Sequence, residues 1–152
     1  MTDAPARLAG IEVTAFRPEE PTHTETVQAE LLRHGPALRA AQLPVETYWE
    51  ARITLADGEI SGLGDSTWAA LCSARVQLES RRCLRLAIAA ARRDCVVINV
   101  ERRRGVTTVS SLADGAVHGM LAPAAVELVG TVEEQEHRYE VWQQEQRREV
   151  SQ

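Results

Sequence analysis

The chain has 152 residues, 44% of them apolar, which is enough for one domain with a hydrophobic core. It has no charged start followed by a long apolar run, so we expect no signal peptide and no membrane span, and a cytoplasmic location. Its three cysteines form no C-x-x-C pair, which argues against a disulfide scaffold. Residues 75–104 hold nine arginines against three acidic residues, while the rest of the chain is acidic. We expect most of this charge to be neutralised on folding.

The first 35 residues are predicted to form a tail, a strand, a loop and a helix, in that order. Residues 1–7 are expected to be flexible, and alternating apolar side chains predict a strand over residues 8–16. Two prolines predict a loop over residues 17–23. Apolar residues at helical spacing then predict a short helix that begins at Thr24 and ends near Gly35.

The middle of the chain is predicted to contain a hairpin followed by a helix. Residues 49–60 alternate between apolar and polar side chains, and Asp57-Gly58 supplies the hairpin turn. Asp65 or Ser66 is then suited to cap the N-terminus of a helix. One face of this helix carries an apolar stripe, which we expect to pack in the core: Trp68, Leu71, Cys72 and Val76.

The remainder of the chain is predicted to contain three strands and a final helix. Alternating side chains predict strands over residues 84–90, 95–100 and 106–112, with a short hairpin loop between the last two. Thr131 and Glu134 have the spacing of a capping box, in which each residue bonds the backbone N–H of the other. A helix is therefore expected to follow Thr131.

This order of elements predicts an α+β fold. We expect a single antiparallel β-sheet with two or three helices packed on one face. No linker or internal repeat divides the chain, so residues 8–148 are expected to form one domain after the N-terminal tail.

The stretches "ALCSARVQLE", "ARRD" and "TVEEQEHRYEVW" resemble a group of small uncharacterised bacterial proteins. The resemblance covers roughly residues 66–145 and implies an α+β fold; it implies no activity. Members of the group carry Ser-Gly-Met in the region where this chain has Ile98-Asn99-Val100. The positions that match the group's motifs are Ala91, Arg92, Asp94, Val132, Glu134, Gln135 and Trp142.

An anionic ligand is one candidate for recognition by this chain. Arg92 and Arg93 precede Asp94, and arginine binds carboxylate or phosphate with a two-pronged geometry. The stretch "SGLGDST" contains Ser66 before a predicted helix, where backbone amides can hold an anion. Its glycines match no nucleotide-binding motif, and a tight turn with an N-cap explains the same residues. These four residues are the predicted ligand site.

A protein-interaction surface is the other candidate. Arg102, Arg103 and Arg104 are predicted at a hairpin tip, and Tyr139 and Trp142 share one face of the last helix. Nucleic-acid binding through the arginine-rich residues 81–104 is a further alternative. The acidic composition and the absence of aromatic residues between positions 69 and 138 both argue against it.

No group of residues predicts catalysis, a cofactor or a metal site. Cys95 follows two arginines, which would favour a thiolate, but a buried structural thiol is the commoner role for such a cysteine. Four scattered histidines lack ligand spacing. The acidic residues at the start of the last helix, among them Glu133 and Glu136, are explained by the helix dipole.

The hypothesis that these observations favour is a small interaction or accessory protein, immunity-like or regulatory, that binds another bacterial protein. A small domain or enzyme that recognises an anionic molecule is the alternative. An edge strand of the sheet would also allow a homodimer.

Overall fold

The computed structural model describes residues 5–35, 47–97 and 105–151. Within these ranges there are eight strands, two α-helices, and short 3-10 turns at Ala89–Ala91 and Val126–Leu128. The strands and α-helices in chain order are β1 (Ala6–Arg17), β2 (Glu20–His34), β3 (Tyr48–Leu55), β4 (Gly58–Gly64), α1 (Thr67–Arg82), β5 (Arg85–Leu86), β6 (Cys95–Val96), β7 (Thr108–Ser111), β8 (Val117–Gly119) and α2 (Val132–Ser151).

The strands form two sheets, so the prediction of a single sheet with all helices on one face is wrong. A five-stranded sheet has the order β4-β3-β2-β1-β5, and a separate three-stranded sheet has the order β6-β7-β8. All pairings within both sheets are antiparallel. Of the two α-helices, α1 packs on the large sheet, whereas α2 packs against α1 and β6. The chain divides into two sheets because β5 and β6 are only two residues long and the buried segment between them is not a strand.

The helix predicted from Thr24 is instead part of β2. The buried residues Val27, Ala29 and Leu31 alternate with less buried ones, which is the period of a strand. The apolar spacing that suggested a helix was a by-product of this alternation. Pro21 is tolerated inside β2 because it lies where the pairing with β1 is interrupted and before the pairing with β3 begins.

The helix α1 lies close against β4 because the strand carries glycines on that face. A Cβ atom at Gly62 would clash with the backbone of Ala70 and Ala74, and one at Gly64 would clash with the first turn of α1. Ser66 caps α1, since its side chain accepts a hydrogen bond from the Ala69 N–H at 3.0 Å. The glycines of the "SGLGDST" stretch therefore serve helix-to-strand packing.

The segment predicted as a strand over residues 84–90 is mostly not one. After the two residues of β5, the chain passes through the core in a buried run that ends in the 3-10 turn Ala89–Ala91. Its backbone is bonded to residues 120–124 instead of a full neighbouring strand: Ala89 donates to the Ala122 carbonyl and Ala90 to the Met120 carbonyl. Small alanine side chains permit this close backbone contact.

The last helix begins as predicted. Glu134 N–H donates to the Thr131 hydroxyl at 3.1 Å, and Thr131 N–H donates to the Glu134 carboxylate at 3.2 Å, so the capping box is confirmed. In the described ranges, neither helix combines the length and apolar character needed to cross a membrane. Of the predicted tail of residues 1–7, the first four residues lie outside the described ranges, whereas Ala6 and Arg7 belong to β1 and pair with β2.

Candidate functional site

Arg92 and Asp94, predicted to recognise an anion, are instead bonded to each other. The Arg92 guanidinium donates from Nε and Nη2 to the two Asp94 oxygens at 3.0 and 2.8 Å. Ser111 donates to the same carboxylate at 3.2 Å. Burial would raise the pKa of Asp94, but the Arg92 and Ser111 hydrogen bonds outweigh it and lower that pKa. This ion pair stabilises the turn between the 3-10 turn and β6. It uses both Arg92 donors, Nε and Nη2, that would bind a carboxylate or phosphate side by side.

The other predicted ligand residues also have partners within the fold. Arg93 donates to the Glu134 carboxylate at 3.1 Å and to the Glu127 carbonyl at 2.7 Å. Arg82, in the same basic segment, donates two hydrogen bonds to Asp57. These contacts join the basic middle of the sequence to its acidic flanks, as the expected neutralisation requires. Arg102, Arg103 and Arg104 lie outside the described residues.

A buried arginine that the sequence analysis did not single out connects α1 to α2. Arg75 is 2% exposed and donates to Gln135, to the Ala90 carbonyl at 3.2 Å and to the Gly130 carbonyl at 3.0 Å. The Gln135 side-chain amide in turn shares its two N–H groups among three backbone carbonyls at and just before the start of β6, those of Ala90, Arg92 and Cys95. Every hydrogen bond in this cluster runs to another part of the fold, so its role is to hold the helices and the turn together.

On the outer side of the same helix pair lies a groove, which we call the α1–α2 groove. Its apolar end is a pocket of about 130 Å³ that also contacts Val96, Val97 and Gln135. Its acidic end is a wider, more open region of about 450 Å³. The groove is lined on α1 by Trp68, Cys72, Val76, Glu79 and Ser80, and on α2 by Val132, Glu133, Glu136 and Tyr139.

The apolar stripe predicted on α1 is divided between the core and this groove. Leu71 is fully buried in the core, as expected. Trp68 and Cys72 line the apolar end of the groove, and Val76, which is 49% exposed, lines its acidic end. The prediction that the whole stripe packs in the core is therefore wrong for Val76, whereas Trp68 is partly buried and packs against the edge of the core and Cys72 is also partly buried. The core instead takes the neighbouring face of α1, including Ala70, Ala74 and Leu78.

Glu79 is the most enclosed acid of the groove. Its Oε1 atom is buried, accepts no hydrogen bond from the described residues, and lies 3.7 Å from the Arg75 guanidinium. Burial raises the pKa of Glu79, and it outweighs the opposing effects of Arg75, Arg85 and the Val132 N–H. Glu133 and Glu136, on α2, are exposed.

The predicted aromatic surface on α2 adjoins the groove. The rings of Tyr139 and Trp142 stack with centroids 5.9 Å apart, and Tyr139 also lines the apolar pocket. Both side chains are partly exposed. Beyond them, residues 144–150 of α2 are exposed, so this end of the helix has little contact with the described body of the protein.

Cys72 and Cys95 lack the lowered thiol pKa that a nucleophile needs. Burial raises the pKa of Cys72 to about 11, and burial with the nearby Asp94 carboxylate does the same for Cys95. Both thiols are therefore protonated near neutral pH, which removes the thiolate that attack requires. Cys83 is exposed and lies just after α1 in a left-handed backbone conformation.

A second polar cluster, on the face of the large sheet away from α1, was also missed. Glu50 receives hydrogen bonds from Ser61 at 2.5 Å and from Arg52 at 3.2 Å, and its Oε1 lies 2.6 Å from His34 Nε2. Tyr48 stacks on the His34 ring at 4.7 Å. Burial would raise the pKa of Glu50, but these hydrogen bonds lower it overall. The carboxylate is fully used in joining β2, β3 and β4.

Among the residues that the structure describes, no three His, Cys, Asp or Glu side chains are grouped so as to hold a metal ion. A scan against protein-family models found no match, and a search of curated protein sequences found none either.

Proposed function

We propose that this chain is an interaction protein that binds a segment of another protein in the α1–α2 groove. The observation that carries the proposal is the contrast between polar groups that are bonded within the fold and a groove whose apolar walls are not filled by any of the described residues. Arg92, Arg93 and Asp94 bond to one another or to neighbouring elements. The groove exposes Val76 and parts of Trp68 and Tyr139.

The size of the apolar end supports this proposal. Its volume of about 130 Å³ is close to that of engineered apolar cavities, about 150 Å³, that bind benzene. It is therefore suited to one large apolar side chain from a partner. Trp68, Tyr139 and Trp142 belong to the residue types enriched at the centres of protein interfaces, where a few aromatic anchors provide most of the affinity.

The alternative of an anionic small-molecule site receives less support. Arg92, which would bind the anion, already donates from both Nε and Nη2 to Asp94. Ligand binding in this geometry would therefore have to break that ion pair. Ser66 is 1% exposed and bonded as the cap of α1. We therefore place the protein-binding hypothesis first.

Site-specific photo-crosslinking in the native host cells tests the proposal. A photoreactive amino acid at position 76 would lie in the groove, and one at Thr54, an exposed residue of β3, is the matched control. Cys72→Phe directs a ring into the apolar end and should block the partner, whereas Arg81→Phe alters an exposed part of the same helix.

We expect one protein adduct at position 76, absent at position 54, that is lost with Cys72→Phe and kept with Arg81→Phe. Equal adducts at both positions, no adduct, or an adduct unaffected by Cys72→Phe would contradict the proposal. An adduct with a second copy of this chain would contradict a partner of different sequence and would show that the groove joins two copies in a homodimer.

A further inference from the structure

The α1–α2 groove changes in character along its length. Trp68, Cys72 and Val76 follow one another at one-turn spacing on α1, so the groove runs along this helix. The apolar pocket lies beside the first two and is also lined by Glu136, which lines the acidic end as well. Glu79 lies about two turns beyond Cys72, and at 1.5 Å per residue this separation is about 11 Å. A partner segment lying in the groove would therefore meet an apolar surface bordered by Glu136 and an acidic surface that extends about 11 Å beyond it.

The acidic end carries three carboxylates and no arginine among its described lining residues. Glu133 and Glu136 are exposed and form no ion pair with the described residues. Glu79 has a buried oxygen that lies 3.7 Å from the Arg75 guanidinium but accepts no hydrogen bond from the described residues. A buried carboxylate oxygen without a hydrogen bond costs free energy, and a cationic donor from a partner would remove that cost. This charge favours a basic partner and repels an acidic one.

Building on the proposed function, we infer that the partner segment is basic, with one large apolar side chain and one or more Lys or Arg within about 11 Å of it. The apolar side chain occupies the pocket beside Trp68, Cys72 and Tyr139. The cations lie among Glu79, Glu133 and Glu136. In a helical partner the two features are at most about seven residues apart.

Peptide selection can test this inference before the natural partner is identified. A phage-displayed library of random 16-residue peptides is selected against the immobilised full chain, and the enriched peptides are synthesised. We expect a shared pattern of one aromatic or large aliphatic residue with Lys or Arg at the stated separation. Their affinities are then measured by fluorescence anisotropy at two salt concentrations.

Matched variants separate the acidic end from the apolar pocket. Glu133→Gln with Glu136→Gln should weaken binding about fivefold at low salt, and this loss should shrink at high salt, as for exposed ion pairs. Glu140→Gln with Glu145→Gln removes the same charge from exposed positions of α2 outside the groove and should leave affinity within about twofold. Cys72→Phe should abolish binding of the enriched peptides.

These results distinguish failure of the basic-partner inference from failure of the proposed protein binding in the groove. Enriched peptides that lack Lys and Arg, or that bind the Glu133→Gln, Glu136→Gln variant as well as they bind the wild type, would overturn the basic partner. If Cys72→Phe still blocked such peptides, protein binding in the groove would stand. Peptides insensitive to Cys72→Phe, or a selection that enriches nothing, would count against both.

Discussion

The inner and outer sides of the contact between α1 and α2 have opposite polar character. On the inner side, Arg75 and Gln135 are 2% and 1% exposed and bond to each other and to four backbone carbonyls. On the outer side, Glu133 and Glu136 stand beside an apolar pocket with no ion pair among the described residues. The same two helices thus present an inner surface whose polar groups are hydrogen-bonded within the fold. Their outer surface carries carboxylates that are available to form ion pairs with a partner.

This difference teaches that a chemically prominent residue type is a poor guide to function unless its bonds are known. The arginines of the "ARRD" stretch attract attention in the sequence, yet their guanidinium groups hold a turn and a helix in place. The glutamates at the start of α2 are accounted for by the helix dipole, yet two of them line the groove. Available hydrogen-bonding capacity, and not residue type, distinguishes the two sides.

The largest expected effect comes from breaking the inner side. Arg75→Ala leaves the Gln135 side-chain oxygen and the Gly130 carbonyl without their buried donor, so we expect a loss of about 3 kcal/mol or more in the free energy of unfolding. Urea denaturation followed by circular dichroism measures it. The control, Arg81→Ala, alters an exposed arginine of α1 and should cost less than about 1 kcal/mol. Equal losses for the two variants would show that the inner network does not stabilise the fold.

An intermediate effect is expected at the turn that Gln135 contacts. Asp94→Asn removes the carboxylate paired with Arg92, at a cost of about 1 kcal/mol near neutral pH. Because the folded pKa of Asp94 is lowered, this stabilisation is fully present above the unfolded value of about 3.9 and is lost as pH falls through the folded pKa. Denaturation curves from pH 7 to pH 2 should therefore show the wild-type advantage disappear in acid. An advantage that is unchanged at pH 2 would rule out the ion pair as its source.

The smallest expected effect belongs to the outer side. Glu133→Gln with Glu136→Gln should change the free energy of unfolding by less than about 1 kcal/mol, since only the favourable position of Glu133 near the helix N-terminus is lost. Thermal unfolding of the purified variant measures this change. A loss as large as that of Arg75→Ala would mean that these acids are bonded within the fold, and the groove could not then be a free binding surface.

Local features of the fold could be predicted wherever neighbouring residues determine the structure. The Ser66 cap and the Thr131–Glu134 capping box each involve residues within a few positions of one another. The hairpin turn was predicted one residue too late: it lies at Ala56-Asp57, and Gly58 pairs with Leu55 as the first residue of β4. The β2 strand was mistaken for a helix because Val27, Leu31 and Leu32 satisfy a helical spacing while Val27, Ala29 and Leu31 satisfy the spacing of a strand. Pairing with β1 and β3 over its length decides between the two.

The candidate site was only half predictable for a similar reason. Tyr139 was expected on an interaction surface and does line the groove. Trp68, Cys72 and Val76 were expected in the core, because an apolar stripe on a helix normally packs there. An apolar stripe has the same pattern whether it faces a packed core or an unfilled groove, so sequence periodicity could not separate these outcomes.

By itself, the sequence determined the helix caps, the place of one hairpin turn to within one residue, the uneven distribution of charge and the apolar stripes of both α-helices, because these depend on side chains close together in the chain. Tertiary structure decided the division into two sheets and the use of each charged residue. Arg92 pairs with Asp94 two residues away, but Arg75 meets Gln135 sixty residues further along and Arg93 meets Glu134 forty-one residues further along. Which arginines are bonded and which glutamates remain available depends on contacts over such distances, and the packing of the whole chain sets them.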